Sequence, residues 1–130
     1  MSTRSHRWSR AVGAGLACFV LQSQAVTQDN FLVRDTKDII ELCSVLPTDP
    51  LYVAATHFCQ GYVVGAYRYQ ESFYNGPEFS PLVCPPEPKP SRNQAIAQFI
   101  AWAKTHPEYG KEPAVDTLMR YLVEHWRCKD

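Results

Sequence analysis

Four cysteines, Cys43, Cys59, Cys84 and Cys128, constrain this chain more than any other feature. Their meaning depends on the compartment, and the first 25 residues speak to that. Arg4, Arg7 and Arg10 precede the apolar run "AVGAGLACFVL", which leads into "QSQA" with Ser23 and Ala25 at the small-residue positions of a cleavage site. The run is too short to cross a bilayer, which takes about 20 apolar residues. Residues 1–25 therefore read as a secretory signal peptide cut after Ala25. Two other readings of this segment are a retained anchor and a lipid-modified Cys18, the latter opposed by Gly15 where a lipobox carries Leu.

Cleavage leaves an even number of cysteines in an exported chain of about a hundred residues, the usual setting for two disulfides. No two of them stand at the C-x₂₋₄-C spacing of a metal site, and His57 beside Cys59 is the only close pair. No metal or other cofactor is expected. Cleavage also removes three Arg, and ten basic residues then face thirteen acidic ones. A chain at about −3 lacks the basic face that nucleic acid requires.

Helical punctuation covers residues 26–130, read as one domain. Residues 26–34 form a polar lead-in expected to stay loose. "DTKDIIELCSV" follows, with Asp35 or Thr36 as cap and Ile39, Ile40, Leu42 and Cys43 on an apolar face. Asp49 and Pro50 restart a helix that carries "FCQGYVVGAYR" and runs to the Asn75-Gly76 pair. Its recurring apolar positions are Phe58, Tyr62, Gly65 or Ala66, Tyr69 and Phe73. Val and Tyr suit a strand, but the three consecutive apolar residues Tyr62, Val63 and Val64 break strand alternation, and these with the length of the run favour a helix. Six of the ten prolines lie between Gly76 and Pro90, which makes that segment a semi-rigid extended loop. Ser91 caps a third helix with Ile96, Phe99, Ile100 and Ala103 on one face. Pro107 and Gly110 end it, and Pro113 opens a fourth with Val115, Leu118, Leu122 and Trp126 near one side. The fold class is all-α: a small four-helix domain with two staples.

Four cysteines allow three connectivities. The ends of consecutive antiparallel helices lie close together, which favours Cys43–Cys59 and Cys84–Cys128. Gly61 and Gly65 each cost roughly 1 kcal/mol in a helix interior. At four residues apart they share a face, and with Tyr62 they read as a helix-packing motif, either inside the bundle or between two copies of the chain. Catalytic sets are missing from the pattern. His57, His106 and His125 are isolated, Ser72, Ser80 and Ser91 lie outside any nucleophile elbow, and oxidised cysteines leave no thiol. A non-enzymatic protein is expected.

The order Cys59-Gln60-Gly61-Tyr62-Val63-Val64-Gly65, then Cys84-Pro85-Pro86, then Gln94 and His106-Pro107-Glu108, resembles the Rap/Tai family of type VI secretion immunity proteins. Ala114, Leu118-Met119, Leu122 and Trp126-Arg127-Cys128 extend the resemblance to the end of the chain. Two positions depart from it: Tyr121 replaces a small residue and Arg127 replaces Pro. The resemblance implies a small periplasmic helical protein, often a homodimer, that binds a cognate effector, typically a peptidoglycan amidase, and blocks its cleft. Two loops could carry that contact. The proline loop presents Tyr74, Phe79 and Leu82 on a preorganised backbone, and "HPEYGKEP" presents Tyr109 beside His106 and Glu108. A small acid-stress chaperone or an envelope accessory protein of the same helical, disulfide-linked build is the alternative.

Overall fold

A computed structural model describes residues 25–129 apart from residue 75, and the signal peptide expected at 1–25 lies almost wholly outside the described residues. Among the described residues there are four α-helices: α1 Thr36–Cys43, α2 Tyr52–Tyr74, α3 Arg92–Lys104 and α4 Ala114–His125. Two short 3₁₀ turns, Gln28–Leu32 and Pro107–Tyr109, accompany them. The first three helices open where side-chain caps place them. The Asp35 carboxylate accepts the Asp38 N–H, and Asp49 accepts from Leu51 just ahead of α2. Ser91 and Gln94 form a reciprocal capping box at the start of α3.

The core gathers Ile39 and Leu42 from α1 with Ala55, Cys59 and Val63 from α2. Ile96, Phe99, Ile100 and Ala103 come from α3, and Leu118, Tyr121 and Leu122 from α4. The α3 face is the one its spacing indicates. The α2 and α4 faces are turned from expectation. Tyr69, Phe73 and Val115, expected inward, are exposed, while Thr117 and Tyr121 are buried. On α2 the covalent tie at Cys59 sets the phase, because Ala55, Cys59 and Val63 follow one another at the four-residue step.

That phase decides the glycines. Gly61 and Gly65 face solvent, with nothing within 4 Å of where a Cβ would stand. The expectation that they admit another helix of the bundle is therefore corrected: the inward approach is made by Tyr62 alone. Its half-buried ring lies 6.4 Å from that of Phe58, and its hydroxyl meets the Val115 backbone at the start of α4. Burial, with the nearby Asp116 carboxylate, raises the Tyr62 pKa above the usual phenol value.

Residues 26–34 are also corrected, from loose to docked. Val26 is buried and its N–H donates to Asp49 Oδ2 at 3.0 Å. Asn30 is buried too, and its amide donates to Asp38 at 2.9 Å and to Glu41 at 2.7 Å. Phe31 sets its edge against Phe58. These contacts give the buried Asp38 carboxylate its partners, together with the Arg34 N–H.

Two crosslinks close the structure. Cys43–Cys59 joins the end of α1 to α2, and Cys84–Cys128 joins the proline loop to the C-terminus, the pairing that helix adjacency favours. Beside the second crosslink, Val83 and Arg127 form an antiparallel bridge: Cys84 N–H donates to Trp126 O at 2.7 Å and Cys128 N–H to Leu82 O at 3.3 Å. Neither bond uses the Arg127 N–H.

Because nothing opposes a methyl group at either exposed glycine, Gly61→Ala and Gly65→Ala should each raise stability by about 1 kcal/mol. Urea denaturation of the oxidised protein checks this, and a loss of stability in either variant would contradict it.

Candidate functional site

Outward rotation of α2 places Gly61, Gly65, Tyr69 and Phe73 in one row at the four-residue step. The last two open onto a groove of about 420 Å³ between α2, α4 and the proline loop. Tyr69 is 74% exposed, Phe73 55% and Phe79 51%, and Leu82 and Val115 are exposed beside them. Met119, Val123 and Val83 form the floor. Apolar side chains left in water over a continuous surface mark a place where another molecule sits.

Phe79 takes its position from the crowded ring cluster around it. Its centroid lies 5.6 Å from Phe73 and 6.3 Å from Tyr74. The turn that presents it is closed by its own N–H donating to Gly76 O. Leu82 is held through its carbonyl, which accepts from Cys128. Both residues therefore stand on backbone fixed before any partner arrives, which lowers the entropy cost of a contact.

Gln70 adds a polar feature. The residue is 7% exposed, lines the groove and has no hydrogen-bond partner on its side-chain oxygen. A buried unsatisfied carbonyl costs roughly 1–3 kcal/mol. A donor brought by a partner would recover that cost.

The second loop is built differently. Trp102, His106 and Tyr109 stack face to face, with Trp102 and His106 centroids 4.3 Å apart and His106 and Tyr109 centroids 5.6 Å apart. The Arg120 guanidinium lies 4.5 Å over the Tyr109 ring and is held from its far side by Glu112 at 3.2 Å. His106 Nδ1 lies 2.9 Å from the Trp102 carbonyl, so that nitrogen is the donor. The loop backbone is clamped as well. Glu112 O accepts from the Thr36 N–H and hydroxyl, and Gly110 O accepts from Lys37. Both faces of Tyr109 are thus engaged inside the protein, and Glu108 alone of the three residues is freely exposed.

The two loops belong to one side of the molecule. Met119 and Val123 floor the apolar groove and also line a neighbouring cleft with Asp116, Arg120, Glu124 and Arg127. Arg120 in turn covers Tyr109. The outer face of α4 thus forms a continuous strip, apolar toward Phe79 and charged toward Tyr109. Tyr69, Phe73, Gln70 and the α4 strip are the residues that periodicity missed. Their signal was present in the position of Cys59, which fixes which way α2 faces once its disulfide is known. Among the described residues no group of His, Cys, Asp and Glu could hold a metal ion. No described helix is long and apolar enough to cross a membrane.

The model of a family described as Rap1a immunity proteins matches residues 35–128. No curated protein and no solved structure matches the chain. The matched span takes in all four helices and all four disulfide-bonded cysteines, and the chain belongs to this family. Its two disulfides mark a protein of an oxidising compartment.

The unsatisfied Gln70 oxygen gives a direct test of whether the groove is shaped for stability or for contact. Gln70→Leu should raise the denaturation midpoint, by about 1 kcal/mol of added stability, as is common where function holds a site below its stability optimum. A destabilisation of similar size would show that the amide is a structural element.

Proposed function

We propose that this Rap1a-family chain is a periplasmic immunity protein that neutralises a cognate type VI secretion effector by covering its active-site cleft. The groove between α2, α4 and the proline loop is the contact surface. The observation that carries this reading is the row of exposed aromatic and aliphatic side chains, Tyr69, Phe73, Phe79 and Leu82, set on a crosslinked loop and a long helix. A peptidoglycan amidase is the effector class that the Rap/Tai resemblance implies, and such an enzyme offers a substrate cleft into which the Phe79 turn can enter. The protein itself performs no catalysis in this reading.

Between the two loops, the geometry favours Phe79 and Leu82 as anchors. Tyr109 is committed to Trp102, His106 and Arg120, so its removal chiefly loosens the loop that carries Glu108. His106 and Glu108 supply the rim of the contact rather than its centre. The exposed glycines extend the same α2 row away from the groove. A helix of a second copy can approach closely there, since no side chain stands above Gly61 or Gly65, and this is where we place a homodimer contact.

Export is supported by the position of Val26. Cleavage after Ala25 would leave the Val26 amine as the new N-terminus, and that nitrogen already lies 3.0 Å from Asp49 Oδ2. Processing would add a positive charge to the donor of a bond whose acceptor is already a carboxylate, making it an ion pair.

Two outcomes are expected. The oxidised protein of residues 26–130 should recover one dominant hydrolase from lysates and secretions of its own organism, identified by mass spectrometry. Against that hydrolase, Phe79→Ala/Leu82→Ala should weaken binding by more than about 2 kcal/mol while Tyr109→Ala costs about 1 kcal/mol or less. Equal affinity of the double variant and the unaltered protein would remove the groove from the contact. Separately, acetylating the Val26 amine should lower stability by about 1 kcal/mol. An unchanged unfolding midpoint would show that the Val26 amine makes no stabilising ion pair with Asp49.

A further inference from the structure

The opposite flank of α2 carries a second cleft, of about 400 Å³, walled by α2, α3, α4 and the end of the proline loop. Its depth is apolar, with Val63, Phe99, Leu122 and Trp126 among its lining residues. Its polar side is cationic. Lys89 and Arg92 stand at the cleft, and among the described residues neither pairs with a carboxylate. Arg92 is the first residue of α3, whose positive N-terminal end therefore adds to the same potential. The cleft's one acid, Glu71, is already held by Arg68 and lies 3.4 Å from the Tyr67 hydroxyl.

Tyr121 adds a donor to the same cleft. The residue is 3% exposed, its side chain lines this cleft, and its hydroxyl takes no hydrogen bond among the described residues. Burial accounts for the raised Tyr121 pKa, so the group stays a neutral donor. The hydroxyl is free to donate to an acceptor brought into the cleft. Pockets of this volume, with few convergent polar groups, hold small molecules.

We propose that this cleft is a binding site for a small amphiphilic anion, an alkyl carboxylate whose chain lies among Val63, Phe99, Leu122 and Trp126. Its head group is served by Lys89, Arg92 and the Tyr121 hydroxyl. The apolar depth selects the tail. The excess of unpaired cations over unpaired acids selects the sign of the head. The Cys84–Cys128 crosslink keeps the wall formed by Pro85 and Pro90 in place, so the site exists before the ligand arrives.

Octanoate, 1-octanol and acetate, each titrated into the oxidised isotope-labelled protein below any micelle concentration, separate the contributions of tail and head. Octanoate should give saturable shifts at Val63, Phe99, Leu122 and the Trp126 indole, and should bind roughly tenfold tighter than 1-octanol. Acetate should give none. In Lys89→Ala/Arg92→Ala, whose side chains are exposed and free of internal ion pairs, octanoate should fall to the affinity of 1-octanol. Tyr121→Phe, which breaks no internal hydrogen bond, should also weaken octanoate and spare 1-octanol. Equal binding of octanoate and octanol would overturn the proposal, as would shifts confined to the Phe73–Phe79 groove or the absence of saturable shifts. Effector affinity measured in the Lys89/Arg92 variant should be unchanged, which keeps this site separate from the immunity contact.

Discussion

The bond between Cys84 and Cys128 holds the part of this protein that has no regular structure of its own. From Gly76 to Pro90 the chain contains too many prolines to form a helix, and it has few partners in the core besides Val83. One covalent link and the two backbone hydrogen bonds beside it fasten that segment to the end of α4. A crosslink of this kind contributes about 2–4 kcal/mol, a large share of the stability of a domain this small. Its greater consequence is positional. Residues before the link, Phe79 and Leu82, overhang the α2–α4 groove, and residues after it, Pro85 to Pro90, wall the cleft on the other flank.

Much of this was legible in the sequence because it is written locally. Asp35, Asp49 and Ser91 cap the helices they appear to cap, and α3 buries the face its spacing assigns. The cysteine pairing followed from helix adjacency. What failed was phase and distance. Two residues correspond to about 200° around a helix, so Gly61 and Gly65 point away from the core that Cys59 and Val63 enter. Periodicity alone gave that row a spacing and no direction. The docking of residues 26–34 rests on Asn30 reaching Asp38 and Glu41, eight and eleven residues on, and no local pattern announces such a bond. Tyr109 read as an open anchor because the Arg120 that covers it comes from the following helix.

The same row is where the proposed contact lies. Tyr69 and Phe73 look like core residues by type, and their exposure makes the α2–α4 groove a place where stability has been exchanged for contact. Two exposed glycines in the middle of a long helix and an unsatisfied Gln70 oxygen have the same character. Each costs free energy in the isolated chain, and each lies along one side. The chain belongs to the Rap1a immunity family, and the proposed contact uses that side. The core, by contrast, is conventional: buried threonines Thr36 and Thr117 satisfy each other at 2.7 Å, and Asp38 is fully partnered.

Hydrogen–deuterium exchange on the oxidised protein and on Cys84→Ser/Cys128→Ser tests most directly whether that crosslink organises the functional side. The account expects the Cys84 and Cys128 amides and the segment from Gly76 to Pro90 to lose protection in the variant. Core amides of α1 and of α2 around Cys59 should keep theirs, because they depend on the other disulfide. Unchanged protection at Cys84 and Cys128 would contradict it: the proline loop would then be held by its own packing, and the groove would not owe its shape to the bond.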